Sequence, residues 1–239
     1  GDFSGYSDIA LGTAKLFGFE LLSNFRFPYF SRDIAEFWRR WHISLSSWFR
    51  DYLYIPLGGS KEGKSKAVRN TFIIFLVSGF WHGASWNFII WGFIHACGFL
   101  PLLLLNRNRI HTTDVVAQYR FLPSFKEFQQ MFLTFVFVTL AWIFFRAETL
   151  EISIGYLKQI GNSILHEPAK LLQVPGGKMA FIYIIPLLIG DWYLRRDERK
   201  LKVPESRWLR YPIYIILSLI IYYFFILSKE EQSFIYFQF

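Results

Sequence analysis

The stretch Ser78-Gly-Phe-Trp-His82-Gly-Ala-Ser-Trp-Asn87 decides how this chain is read, because it sets one imidazole inside an apolar run long enough to enter a bilayer. Residues 72–77 lead into it and residues 88–105 follow without a charge. An ionisable ring in hydrocarbon costs free energy, so such a residue marks a functional site unless helix packing gives it a partner. Gly79, Gly83, Ala84 and Ser85 leave room beside the ring for a second helix or a substrate. Histidine titrates near neutrality, which suits it to moving protons during acyl or phosphoryl transfer. Spacing alone leaves two readings of His82 open: a proton-moving group, or a polar side chain hydrogen-bonded between packed helices.

Working outward, the apolar run 72–105 is too long for a single upright crossing. A spanning helix needs about 20 residues, and this run would reach about 50 Å as one helix. Gly79 and Gly83 are the expected point of a break. A broken helix at membrane depth is tolerated only where protein or a water-filled cavity satisfies the freed backbone, so His82 is expected to line a cavity. Further apolar segments lie at 131–145, 179–194 and 211–227. The composition agrees: 53% hydrophobic, 21% aromatic, with 28 Phe, 13 Tyr and 9 Trp, and a mean hydropathy of +0.27. Aromatic enrichment of this kind fits a membrane protein with interfacial belts.

The net charge of +8 sits in the loops between apolar runs. That is the positive-inside pattern, and it points to membrane lipid rather than nucleic acid as the partner. The basic loops 58–70, 106–130 and 195–210 are placed in the cytoplasm, and 146–178 and the tail 229–239 outside. Cytoplasmic flanks on both sides of 72–105 require a hairpin or re-entrant pair. The expected fold is an all-α, polytopic transmembrane helical bundle with amphipathic interfacial and re-entrant helices, forming one membrane-embedded domain over 1–239. The chain opens on Gly1 without a charged-then-apolar leader. Residues 1–8 read as the tail of an element already under way, as expected of the C-terminal part of a longer protein.

Upstream, residues 33–52 carry Ile34, Phe37, Trp38, Trp41, Leu45, Trp48, Phe49 and Tyr52 at helical spacing. Asp33 and Glu36 have capping-box spacing. Glu36, Arg39, Arg40, Ser47 and Arg50 fall toward the opposite side, which describes a helix lying at the cytoplasmic interface. His42 belongs to the apolar side, and helical geometry alone favours a buried, bridging role for it. The single Cys97 permits no intrachain disulfide. No phosphate loop, CxxC pair or His pair at metal spacing occurs, so neither a bound cofactor nor a metal is expected.

Three blocks resemble the membrane-bound O-acyltransferases: Asp2-Phe-Ser-Gly-Tyr-Ser-Asp8, then Phe37-Trp-Arg-Arg-Trp-His-Ile-Ser-Leu-Ser-Ser-Trp-Phe-Arg-Asp-Tyr-Leu-Tyr-Ile-Pro-Leu-Gly-Gly59, then the His82 block. The likeness is to the bacterial branch that acetylates alginate and D-alanylates teichoic acid. It is strong over about residues 1–100 and weaker beyond, although the ending Phe234-Ile-Tyr-Phe-Gln-Phe239 also resembles the alginate-type branch. Family members are roughly twice this length, which implies that their N-terminal helices are not in this chain. The resemblance implies that His82 is the family's invariant histidine and His42 the second conserved one. It also implies a multi-pass protein of the bacterial inner membrane that passes an acyl group to hydroxyls of an extracytoplasmic polysaccharide. The donor would be acetyl-CoA or an acyl carrier protein, with a periplasmic SGNH-type partner.

That chemistry assigns further residues. A hydroxyl is a poor nucleophile near neutral pH, and a positioned base contributes about 10²–10⁴-fold in rate. The tetrahedral oxyanion needs donors, and Trp81, Asn87 and Ser78 are candidates, with packing the alternative for each. Arg39, Arg40 and Arg50 suit the phosphates of CoA or an acidic carrier surface, or equally anionic lipid headgroups. Asp191 is expected as an interfacial cap, His95 in a helix–helix hydrogen bond, and His111 and His166 as solvated loop residues. D-alanyl transfer is the nearest competing activity. A transporter or an export scaffold are rivals from other classes, and no second copy of the His82 segment supports a transporter's inverted repeat.

Overall fold

Gly79 and Gly92 set the middle of the fold. A computed structural model describes residues 2–166, 177–197 and 204–227, and in it helices α4 (Lys64–His82) and α5 (Trp86–Leu104) form an antiparallel hairpin. A Cβ on Gly79 would come within 2.2 Å of the Phe88 carbonyl oxygen, and one on Gly92 within 2.2 Å of the Phe75 carbonyl oxygen. The two backbones therefore touch, which only small residues allow. The break falls where the apolar-length argument puts it: Ser85 caps α5 by accepting the Asn87 N–H. Helix α6 (Phe125–Arg146) packs on the other side of α5 and starts on a full capping box between Ser124 and Glu127. Helices α5 and α6 are long and apolar enough to cross a membrane.

Between α5 and α6 sits helix α2 (Ile34–Arg40), where Ile34 and Phe37 meet Val138 in a buried core walled by Trp38, Trp41 and Phe137. This corrects the expected single helix over 33–52 with an outward polar face. The start is as expected, with Asp33 Oδ1 accepting the Glu36 N–H at 2.7 Å. Glu36, however, is only 1% exposed. It accepts from Arg32 through Nε and Nη2, both at 3.0 Å, and from Arg40 through Nη2 at 2.8 Å. Arg32 also reaches Asp114 at 2.8 Å. The charged stripe is thus an internal ion network that ties α2 to the loop before α6. The helix then stops: Trp41 is extended and His42 left-handed, at φ 43°, ψ 57°. Helix α3 (Ile43–Phe49) and a π turn (Arg50–Tyr54) continue the chain.

Helix α1 (Asp2–Leu16) and a 3₁₀ turn (Pro28–Phe30) precede α2, and α7 (Leu150–His166) follows α6. Helices α8 (Gly177–Leu194) and α9 (Arg207–Leu227) coincide with the apolar segments at 179–194 and 211–227. Among the described residues every regular element is helical. Helix α7 was not expected in the 146–178 loop. The 229–239 tail and the likeness at its end lie outside the described residues, as do parts of the 146–178 and 195–210 loops.

The basic loops gather at one end of the bundle. Lys64 Nζ donates to the Leu104 carbonyl and Arg109 to Ser60 Oγ, while Arg195 and Arg196 both donate to the carbonyls of Ala117 and Arg120. At the far end of α4, Asn87 Nδ2 donates to the Ala147 carbonyl and joins the α4–α5 turn to the α6–α7 turn. Helix α4 runs from the basic end to the other, so its 19 residues carry His82 about 28 Å along the bundle.

Candidate functional site

His82 is the last residue of α4. Its ring lies edge-to-face with Trp81 (4.9 Å between centroids), Phe145 (4.9 Å) and Trp91 (5.4 Å). His42 approaches from the α2–α3 junction, edge-on to Phe3 at 4.7 Å and 6.5 Å from the Trp81 ring. The two histidines therefore flank Trp81, 40 positions apart in sequence but within electrostatic reach. Both rings are half-buried rather than sealed. Among the described residues neither ring has a hydrogen-bond partner, in contrast to His95 and His111. The bridging role that helical spacing suggests for His42 thus finds no partner there.

The backbone at His42 is held by residues 24–26. Ile43 N–H donates to the Asn24 carbonyl at 3.0 Å and Arg26 N–H to the Arg40 carbonyl at 2.9 Å, and Ser44 N–H donates to Asn24 Oδ1 at 3.1 Å. A left-handed non-glycine residue costs on the order of 1–3 kcal/mol and persists only where its surroundings over-determine it. Asn24 supplies that here, and nothing in the local pattern singled it out.

The candidate donors near His82 divide. Ser78 lies one turn earlier on α4 and is buried. Trp81 is half exposed. The amide nitrogen of Asn87 is engaged by the Ala147 carbonyl at 2.6 Å, while its Oδ1 is buried without a partner among the described residues. His95 makes the expected interhelical bond, its Nδ1 accepting from Trp38 Nε1 at 3.3 Å. His111 corrects the expectation of a solvated ring: it is half-buried, with Nδ1 3.2 Å from the Asp114 carboxylate. His166 ends α7, exposed. Asp191 is in the last turn of α8, next to the basic loop. It lies within α8 and lines, with Asp8 of α1 and Trp41, a cavity of about 670 Å³.

The arginines separate as well. Arg39 donates to the carbonyls of Asn108 and His111, and Arg40 pairs with Glu36. Both line a cavity of about 430 Å³ together with Arg26, Arg195 and Arg196. Arg50 is elsewhere, exposed and paired with Asp51. Arg26, Arg195 and Arg196 were visible in the sequence only as loop charges, and no spacing rule joins them to Arg39. Among the described residues no group of His, Cys, Asp or Glu is arranged to hold a metal ion.

A family model described as the membrane-bound O-acyltransferase family matches residues 1–140, which include both histidines and Arg39. The chain belongs to the membrane-bound O-acyltransferase family. It is similar over its full length to a peptidoglycan O-acetyltransferase of Helicobacter pylori, at 34% identity and 46% of that protein. It is 45% identical to a probable alginate O-acetylase of Pseudomonas aeruginosa, over 86% of this chain and 38% of that one. A teichoic acid D-alanyltransferase of Bacillus subtilis is 36% identical over 52% of this chain and 31% of its own. The chain thus spans less than half the length of these relatives. Membership in this membrane-bound family agrees with the spanning length of α5 and α6 and with the extensive exposed apolar faces of α8 and α9, which exceed what water tolerates.

Proposed function

We propose that this chain carries the acyl-transfer centre of an O-acyltransferase that moves an acetyl group from a cytoplasmic thioester to hydroxyls of an extracytoplasmic polysaccharide. The observation that carries the reading is the pair His82 and His42 set about Trp81, their ring nitrogens without a hydrogen bond among the described residues. A ring that only packs is expected to find a partner, as His95 Nδ1 does in Trp38, although the buried Nε2 of that ring has none among the described residues. A ring that accepts a proton must be open to a substrate.

In the proposed reaction His82 takes the proton of the attacking hydroxyl as its oxygen bonds to the thioester carbonyl carbon. The C–S bond then breaks, and the imidazolium returns the proton to the departing thiolate, leaving an ester and a free thiol. His42 positions the acceptor or His82, and the left-handed backbone that aims it is the kind of strain concentrated at functional sites. The Trp81 N–H and the Ser78 hydroxyl are the donors proposed for the oxyanion. Asn87 contributes by fixing the turn beside them, and Arg39 and Arg40 by receiving an anionic donor from the basic end. Arg50 does not line that cavity and is exposed, and it is assigned to lipid headgroups.

The setting proposed is a multi-pass bacterial inner-membrane protein, basic loops inward, with acetyl-CoA as donor and an SGNH-type periplasmic protein as relay to the polymer. Acetyl transfer is favoured over D-alanyl transfer because the similarity to O-acetyltransferases covers more of the chain. Incubating the full-length protein in proteoliposomes with labelled acetyl-CoA tests the reading. Thiol release with transfer of label to acceptor polymer or relay supports it. Release only with an aminoacylated carrier protein would replace it with D-alanyl transfer, and no release with either donor would overturn it.

A further inference from the structure

His95 is 0% exposed, and the chemistry proposed for His82 makes no use of it. Its ring lies among five others. Phe37 of α2 and Phe75 of α4 lie nearly parallel to it, at interplanar angles of 4° and 20° and centroid distances of 6.5 and 6.2 Å. Trp38 of α2, Trp91 of α5 and Phe137 of α6 meet it edge-to-face at 5.0, 4.9 and 5.9 Å. Helices α2, α4, α5 and α6 therefore converge on one imidazole. An indole N–H can only donate, so the 3.3 Å contact with Trp38 Nε1 makes His95 Nδ1 the acceptor. An accepting Nδ1 carries no proton, which assigns the ring proton to Nε2, and that atom is buried without a partner among the described residues. Packing alone gives no reason for an imidazole here. A phenylalanine ring would fill a similar space without burying an unpaired N–H, which costs free energy. What the imidazole adds is the Trp38 bond, which fixes the rotation of its ring.

We infer that His95 is a positioning residue, which sets His42 and His82 relative to each other through its bond to Trp38 and its ring contact with Trp91. Trp38 lies four residues before His42, near the end of the helix that leads to it. On the other side Trp91 is 1% exposed and stands edge-to-face with His82, at 5.4 Å and 89°. Trp38 and Trp91 also meet each other at 5.7 Å. Phe75 precedes His82 by two turns of α4. A close-packed interior transmits strain rather than absorbing it. Rotation of the His95 ring therefore moves Trp91, and with it the ring of His82. His95 is closed off from solvent, so it acts through these rings and not on a substrate. The inference rests on the proposed acyl transfer and adds to it the group that fixes the geometry between its two histidines.

The test uses the full-length protein in proteoliposomes, with the variants His95→Phe and His95→Asn. Phenylalanine keeps a ring and loses the acceptor for Trp38, whereas asparagine keeps an acceptor and loses the ring. The first readout is the kinetics of thiol release from acetyl-CoA. A misplacement of about 1 Å costs up to about 10²-fold in rate, so kcat is expected to fall by about 10–10²-fold in both variants. KM should stay within about twofold, as for an interaction felt only in the transition state. The second readout needs no turnover: carbethoxylation of His82 by diethyl pyrocarbonate, followed by peptide mass spectrometry, with the exposed His166 as internal reference. Loosening of Trp91 is expected to raise the His82 rate several-fold relative to His166. Unchanged kcat together with unchanged His82 modification, in His95→Phe that melts like wild type, would overturn the inference and return His95 to packing. If His95→Phe does not fold, the same two readouts on His95→Asn decide. No thiol release by wild type would overturn the proposed acyl transfer, and the carbethoxylation rates would still decide the role of His95.

Discussion

Replacing Glu36 with Gln tests the ion network that seats α2. The carboxylate is 1% exposed and accepts five hydrogen bonds: the Arg32 N–H at 2.8 Å, Arg32 Nε and Nη2 at 3.0 Å, and Arg40 Nε and Nη2 at 3.1 and 2.8 Å. The amide keeps the shape, removes the charge and turns a donor toward one guanidinium. Arg32 retains Asp114 at 2.8 Å, but Arg40 is left with the carbonyls of Arg26 and Asp114. Breaking a buried pair by removing one partner costs about 3–5 kcal/mol, and the surviving Arg32–Asp114 contact places this change near the lower end. At roughly 2–4 °C per kcal/mol for a chain of this size, the melting midpoint should fall by about 6–12 °C. The assay is intrinsic tryptophan fluorescence of the detergent-solubilised full-length protein during heating. Transfer should fall with it, because α2 ends two residues before His42. A midpoint within about 1 °C of wild type would show that Glu36 is not the hub of a buried network.

Other expectations follow from the same geometry. Gly79→Val should force α4 from α5, because its Cβ would lie 2.2 Å from the Phe88 carbonyl oxygen, whereas Gly155→Ala, with nothing within 4 Å, should leave melting unchanged. Overpacking of this kind costs about 1–3 kcal/mol, and equal melting of the two variants would refute the close backbone contact. At position 42, with φ 43°, Gly should be more stable than Ala by about 1–2 kcal/mol while both lose transfer; equal melting of His42→Gly and His42→Ala would deny the left-handed backbone. Asp114 is raised by burial but, more strongly in sum, lowered by Arg32 and His111, and ends below its ordinary 3.8. A depressed carboxylate stabilises the fold fully above its unfolded value and loses that contribution as pH falls through its folded value. Melting of wild type should therefore drop in that acid range more steeply than that of Asp114→Asn, and parallel acid profiles would exclude the role.

The parts of this fold that follow from length and local chemistry were legible in sequence. The run 72–105 was too long for one helix, and the hairpin turns at Gly83–Ser85 as its glycines require. The Asp33 cap was visible for the same reason: both partners lie within four residues. What depended on distant residues was not. The helical pattern runs unbroken through Trp41 and His42, and only Asn24 and Arg26 impose the turn between them. Glu36 looked like a surface charge because Asp114, which completes its network through Arg32, is 78 positions on. Helix α7 was hidden because its apolar residues alternate with polar ones, so no uninterrupted apolar run marked it. The meeting of His42 and His82 around Trp81 obeys no spacing rule, and the family resemblance implied only that both histidines matter, not where they meet.

Whether His82 is the base of an acyl transfer is tested by comparing wild type with His82→Ala in proteoliposomes of the full-length protein. The variant is expected to accumulate in the membrane and melt like wild type, but neither to release thiol from acetyl-CoA nor to transfer label to polymer or relay. Wild-type thiol release and label transfer by the folded His82→Ala protein would contradict it.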